Sequence, residues 1–326
     1  MSFVRTLIFF SVFFSSNLSA DELLSRTRSL MGTYVTISLP EKENKAISLS
    51  FDLIQKIENS LSSYDPDAML AKLNQTHIVP YDAYLSEAIK FSKQYYKDTD
   101  GYFDITIGSI SKKLYHFGEE KTYSPSKEAL QKAVLNIDGI HLSEQNIATE
   151  QHIVVDLGGM GKGYAVDKVA TYLKSQNITE GILALSGDIQ CLNRCEIYLQ
   201  SPFSEETFAK ISTLHPHTSI STSGIYRRYA TQKSEHHLIN PKTATQGKAF
   251  VSVSLFTIED NSKIDAYATA VSVMPREEAI AFLKKHKEIG YVLVEADGNI
   301  VYGNLEKLVK IEWQKKPSGV VSPQHR

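Results

Sequence analysis

Residues 156–167 read DLGGMGKGYAVD: an aspartate, four glycines within six positions, a lysine, and then residues with helical spacing. The run before it, HIVVDL (152–157), is short and rich in β-branched residues. The stretch therefore reads as strand, tight turn and helix, with Ala165, Val169, Tyr172 and Leu173 on the apolar face of that helix. A glycine turn of this kind lets a ligand approach the backbone, and free N–H groups at the helix start favour negative charge. Two familiar phosphate motifs do not fit. The spacing is G-G-x-G-x-G rather than G-x-G-x-x-G, and Lys162 is followed by Gly163 rather than the Ser or Thr of a P-loop. Tight packing of a strand on a helix would explain the glycines alone. Asp156 just before the turn and Lys162 within it point instead to a ligand.

Downstream, GILALSGDI and EIYLQSP read as strands flanking Cys191 and Cys195, whose LNR spacer suits the tip of a hairpin. The pair is placed to form a disulfide in an oxidising compartment, or to remain as two buried thiols. Ser221, Thr222, Ser223 and Gly224 read as a small polar turn before Arg227-Arg228 and the pair His236-His237. A histidine there is a candidate base near neutral pH, or else surface or packing material. His215 and His217 raise zinc as an option without supplying a ligand spacing. AFVSVSLFTI alternates like a half-buried strand, KIDAYATAVSVM has helical spacing, and Pro275 starts or breaks the next helix. On a helix Asp265 and Thr269 project from the same side, offering hard oxygens that suit Mg²⁺. A helix-start aspartate and a threonine bonded to a carbonyl is the plainer reading. YVLVEADGNIVYG is a hairpin turned near Asp297-Gly298.

Upstream, GTYVTISLP reads as a strand and AISLSFDLIQKIENSLSSYD as a helix that runs into a turn at Asp65-Pro66. Tyr84, Leu85, Ala88, Ile89, Tyr95 and Tyr96 line a second helix, and Ser124-Pro125 reads as the cap and first turn of SKEALQKAV. Strands occur in hairpins as well as beside helices, so the class expected is α+β rather than a doubly wound parallel sheet.

The whole chain sets the outer limits. Its 326 residues are 42% hydrophobic with a formal charge of −2, enough for a large core and without the basic excess of a nucleic-acid or polybasic membrane surface. The N-terminus, MSFVRTLIFFSVFFSSNLSA, carries one arginine, a short apolar stretch and small residues before Asp21, as a signal peptide does. We therefore expect a signal peptide over residues 1–20, a folded domain over 21–312, a disordered tail over 313–326, and a periplasmic or otherwise exported protein.

Taken in order, the segments resemble the ApbE family of FAD:protein FMN transferases. The resemblance rests on MGTYVTISL, SSYDPDAMLAKLNQ, DGYFDITIGSISKKLYHFG, DLGGMGKGYAVDKV, TSGIYRR, HLINP and DAYATAVSVM, and covers about residues 28–303. It implies an ApbE-like, T-fold-like α+β architecture of antiparallel sheets and packed helices. It also implies Mg²⁺ dependence and transfer of the FMN part of FAD to a Ser or Thr hydroxyl of an acceptor flavoprotein, such as the FMN-bearing subunits of membrane redox complexes, with release of AMP. Carried over by position, it implies flavin-nucleotide contacts from Met31, Tyr64, Tyr102, Phe103, Asp104, Asp156, Lys162 and Ile239. It implies metal ligation by Asp265 and Thr269 with backbone oxygens of Gly159 and Ala268, and His237 assisting the acceptor hydroxyl. Some positions depart from the family pattern: Ser186 in its GGD, Asn240 and Ala244 in its DPxTG, Ser109 for the proline of its GPL, and Tyr115 for the tryptophan of its WGF. The rival readings are a Mg²⁺-dependent FAD pyrophosphatase, in which water replaces the protein hydroxyl, and a flavin-binding protein without catalysis.

Overall fold

The computed structural model describes residues 23–225, 228–314 and the backbone of 320–321. The expected signal peptide lies outside these residues, as does Arg227. The chain begins with a hairpin of β1 (Leu23–Leu30) and β2 (Thr33–Pro40), turned at Met31-Gly32 where both residues have positive φ. Helices α1 (Asn44–Leu61), α2 (Met69–Thr76) and α3 (Ala83–Asp98) follow, with β3 (Ile78–Pro80) between the last two. Then come α4 (Gly108–Ser111), α5 (Lys127–Gln131), β4 (Ile140–Leu142) and β5 (Asn146–Thr149), and the glycine turn opens α6 (Gly161–Ser175). Five strands succeed it: β6 (Ile182–Leu185), β7 (Asp188–Cys191), β8 (Glu196–Gln200), β9 (Thr207–Thr213) and β10 (Thr218–Gly224). The short pair β11 (Ile239–Asn240) and β12 (Thr245–Gln246) precedes β13 (Phe250–Thr257), α7 (Asn261–Val273) and α8 (Arg276–Lys285). Strands β14 (Gly290–Glu295), β15 (Ile300–Gly303), β16 (Val309–Trp313) and β17 (Val320–Val321) complete the order.

The frame is a nine-stranded sheet, β1-β2-β6-β7-β10-β13-β14-β15-β17. Every neighbouring pair in it is antiparallel except β15–β17. Helices α6 and α7 pack against each other and against the middle strands, and α1 lies on α6. The main core fills this helix–sheet interface, with Phe51, Tyr164, Tyr267 and Leu255 almost wholly buried. On the other face the three-stranded sheet β16-β9-β8 closes a second apolar cluster around Phe256, Val292 and Ile211. This is the α+β class expected from the pattern of segments. Among the described residues no helix is long and apolar enough to cross a membrane.

Several local expectations are corrected. HIVVDL belongs to no sheet: His152 is in a turn with φ 76°, and the backbone of the residues after it bonds to side chains and a loop. Val154 N–H donates to Ser109 Oγ at 3.1 Å, Val155 exchanges two bonds with the Asn74 amide, and Asp156 N–H donates to Ile105 O at 2.7 Å. A β-rich run reports extended backbone, not the identity of its partner. Ser126, not Ser124, caps α5, its Oγ accepting from Ala129 N–H. Ser221–Gly224 is not a turn but the end of β10, paired throughout with β13 and at Ser221 also with β7. Strand β13 is buried on both faces rather than one, because helices cover one side and the small sheet the other. The cysteines sit not at a hairpin tip but where the chain leaves the large sheet for the small one, and a disulfide joins them with Cα atoms 5.8 Å apart. Trp313 lies in β16, and Val320–Val321 pairs with β15, so the expected tail is partly structured and the rest of it lies outside the described residues.

Candidate active site

The glycine turn and α7 meet at one carboxylate. Asp265 Oδ2 accepts the Gly163 N–H at 3.1 Å and lies 3.3 Å from Lys162 Nζ. Lys162 also reaches Asp188 Oδ2 at 3.0 Å, and Asp188 Oδ1 accepts from Ser221 Oγ at 2.6 Å. One helical turn after Asp265, Thr269 Oγ1 donates to Gly159 O at 3.3 Å. Gly159 admits no side chain without crowding, since a Cβ there would stand 3.0 Å from Thr269 Oγ1 and 3.2 Å from the Phe103 ring.

These contacts follow from how α6 and α7 are anchored. Asp167, on the buried face of α6, accepts N–H bonds from Asn261 at 2.7 Å and Ser262 at 2.9 Å, and so caps α7 from outside that helix. Gly163 is glycine because a Cβ would lie 2.6 Å from Asn261 O. Close approach of the two helices thus accounts for a glycine where a P-loop would carry Ser or Thr.

The electrostatics are unbalanced in a telling direction. The side chains of Asp188 and Asp265 are 2% and 4% exposed, and they share one ammonium. Burial and the Asp188 charge push the Asp265 carboxyl up, against the pull of Lys162 and Gly163. Against its own burial, Lys162 is held above its ordinary range by the two carboxylates. Two buried carboxylates on one ammonium, with the Thr269 hydroxyl and the Gly159 carbonyl beside Asp265, suit a small hard cation that favours the ionised form of Asp265. The Ala268 carbonyl accepts from Ser272 Oγ within α7 at 2.7 Å.

Around the turn, Asp156 Oδ1 accepts from Gly158 N–H at 2.9 Å and Oδ2 from Ser111 Oγ at 2.7 Å, with Lys112 Nζ at 3.8 Å. Burial opposes its ionisation, but Lys112, Ser111 and Gly158 hold the Asp156 carboxyl below the usual range. Lys112 lies over the ring of Tyr64, 3.6 Å from its centre, and also bonds its hydroxyl. Tyr64 remains 46% exposed, so it presents a ring to solvent. Met31 N–H donates to Glu58 Oε1 at 2.7 Å, and its side chain faces Gly161.

His237 is the base candidate that the geometry prepares. Its Nδ1 lies 3.1 Å from Arg228 O, and because a carbonyl only accepts, Nδ1 carries the proton and Nε2 keeps its lone pair. Burial lowers the imidazole to about 4, the Arg228 carbonyl opposing and the Arg228, His236 and Lys162 charges adding to the effect. It is therefore neutral at pH 7. The charge of Arg228 acts on Asp156 as well as on His237.

The remaining positions expected to contact the nucleotide also have partners within the protein. Phe103 is 3% exposed and packs edge-on to Tyr95. The Tyr102 hydroxyl donates to Glu278 Oε2 at 2.7 Å, and Lys242 covers its ring. Asp104 is buried and bonds Thr106 N and Oγ1, and Ile239 lies in a cluster with Tyr115 and Phe117. Asn240 donates from Nδ2 to Val273 O at 2.9 Å, a bond an aspartate could not make, so this departure from the family pattern braces the end of α7. Sequence reading missed Asp188, Ser221 and Asp167 as site components. Asp188 was visible only as the last residue of the SGD segment, and Asp167 only as the second aspartate of the glycine stretch.

Residues 31–303 match the ApbE family. The FAD:protein FMN transferase of Klebsiella pneumoniae (strain 342) is 24% identical over 302 residues, covering 89% of this chain and 95% of that protein. The FAD:protein FMN transferase of Vibrio cholerae (O395) is 27% identical over 295 residues, covering 82% of this chain and 86% of its own. The crystal structure of the ApbE protein of Thermotoga maritima superposes with a TM-score of 0.77 at 20% identity, covering 86% of this chain and 96% of the other. That likeness is one of fold.

Proposed function

We propose, for a chain that belongs to the ApbE family, that it is an FAD:protein FMN transferase. The acceptor would be a Ser or Thr hydroxyl of an exported or membrane flavoprotein, and the by-product AMP. One observation carries the reading: Asp265 of α7 lies against the glycine turn, within bonding distance of both Gly163 N and Lys162 Nζ. That juxtaposition makes a cradle for a diphosphate.

In the transfer the acceptor oxygen forms a bond to the FMN phosphorus, the P–O bond to AMP breaks, and the hydroxyl proton leaves. His237 Nε2 is the atom assigned to take that proton, with Arg228 O fixing the tautomer. Lys162 would face the charged phosphate oxygens, while the turn's own N–H groups at Gly158, Met160, Gly161 and Gly163 are spent on Asp156, Leu157 and Asp265. Asp265, Thr269 and the Gly159 carbonyl would hold Mg²⁺, which when bound supplies Lewis-acid neutralisation of the diphosphate. Tyr64 offers an exposed ring for stacking, backed by Lys112. We also propose that the protein works outside the cytoplasm. The Cys191–Cys195 disulfide supports an oxidising compartment, as does the signal-like N-terminal sequence.

The test is to incubate the protein with FAD, Mg²⁺ and a candidate acceptor domain, then denature the acceptor. Flavin retained on the acceptor with stoichiometric AMP supports transfer. Free FMN and AMP alone would make the enzyme a pyrophosphatase, and no AMP at all would sink both. Asp265→Ala is expected to abolish AMP release while leaving the circular-dichroism spectrum unchanged.

A further inference from the structure

Lys162 sits between two carboxylates, 3.0 Å from Asp188 Oδ2 and 3.3 Å from Asp265 Oδ2. Only Asp265 lies on the same helix face as Thr269. Asp188 stands across from it at the start of β7, where Ser221 Oγ of the neighbouring strand fixes its other oxygen at 2.6 Å. A divalent ion and an ammonium that both lean on one buried carboxylate repel each other, the more so because burial of that carboxylate weakens solvent screening. They coexist only if the ammonium has a second anion to lean on.

We infer that Asp188 is a positioning residue for the cation site: it takes over the Lys162 ammonium when a divalent ion claims Asp265. This rests on the divalent-cation reading of the Asp265 site proposed above. The lysine then needs no large movement, because its contact with Asp188 is already the shorter of the two. The displaced ammonium stays beside the glycine turn. Its third contact there is the Gly158 carbonyl, at 3.5 Å.

The experiment reads metal binding, not turnover. Mn²⁺ shares the oxygen preference of Mg²⁺, and its free aquo ion is counted by electron paramagnetic resonance as it is titrated into the full chain without FAD. The unaltered protein should bind it and Asp265→Ala should not. If both bind alike, the cation reading of the site fails, and this proposal with it. Given that difference, Asp188→Asn should weaken Mn²⁺ binding about 10–100-fold, the range for residues that support metal ligands from behind. Ser221→Ala, which only loosens Asp188, should weaken it a few-fold and serves if Asp188→Asn does not fold. The deciding variant is the double change Lys162→Met with Asp188→Asn. If Asp188 acts through the lysine, removing the competing ammonium restores binding to within about 3-fold of the unaltered protein, a coupling that general loss of structure cannot produce. A double variant as weak as Asp188→Asn, or an Asp188→Asn protein that binds normally, overturns the proposal.

Discussion

Asp167 and Ser262 join the two helices of the site: the carboxylate of one, on α6, accepts the backbone N–H of the other at 2.9 Å, and that of Asn261 at 2.7 Å. The helix that carries Asp265 and Thr269 is thus capped by the helix that follows the glycine turn, while Asp260, at its own N-cap, makes no side-chain cap bond. Burial pushes the Asp167 carboxyl up to about 7, partly offset by its bonds to Ser262 and Asn261. Asp167→Ala should cost about 1–3 kcal/mol, the loss of a cap and of buried acceptors. Chemical denaturation would measure it. Because the folded pKa is raised, the native carboxyl holds its proton between about pH 4 and 7, and the native protein loses stability as pH rises through that window. The isosteric Asp167→Asn variant should lack that slope, and an identical slope would contradict the assignment.

Gly163→Ala tests the same helix contact from the other side. Alanine favours a helix by up to about 1 kcal/mol over glycine. Here its Cβ would meet Asn261 O at 2.6 Å and Ser262 Cα at 2.8 Å, both backbone atoms that can yield only if α7 shifts. Overpacking of this kind costs roughly 1–3 kcal/mol, so a net loss is expected. A rise in melting temperature would show that α7 moves freely at that point.

For His237, the lowered pKa fixes the sign of the pH dependence. The base is free above a folded pKa of about 4, and activity fails as protonation sets in below it. The acid limb of kcat/KM should therefore fall below about pH 5, not near the 6.5 of an ordinary histidine. His237→Ala should slow transfer about 10²–10⁴-fold and remove that limb. Flavin-fluorescence titration should find FAD affinity nearly unchanged.

Glu235 ties together the turn closed by the isolated Tyr229–His236 bridge, next to His237. Its Oε2 accepts from Thr231 Oγ1 at 2.6 Å, Ser124 Oγ at 2.8 Å, Gln232 N at 3.2 Å and Thr231 N at 3.3 Å. Removing these acceptors with Glu235→Ala leaves the core intact but frees the turn, and misplacement of a catalytic group by about 1 Å can cost about 100-fold in rate. We expect kcat to fall roughly tenfold or more, with a stability change of about 1 kcal/mol for a half-buried site away from the core. Unchanged kcat in steady-state assays would mean that the turn is held elsewhere.

Periodicity and turn chemistry exposed much of this structure in advance: α1, α3, α7, the β14–β15 hairpin and the helix after the glycine turn all follow from local pattern. What local pattern hides is the partner. HIVVDL was legible as extended chain, but Asn74, 81 residues earlier, supplies the bonds to Val155. Ser221–Gly224 is as polar as a turn, yet it is a strand because its hydroxyls pair with Asp188 and Ser254. Strand β1 alternates only weakly between partly exposed and exposed positions, so its pairing with β2 left little hydrophobic signature. Asp265, Thr269, Asp156 and Lys162 were visible as candidates in the sequence. The Asp188–Lys162–Asp265 bridge was not, because its members come from three separate elements.

Lys162 and Asp265, which must touch for the site to exist, are 103 residues apart along the chain. A chain that is only half collapsed cannot bring the two groups together, so the bridge reports completion of the whole architecture rather than of any one segment.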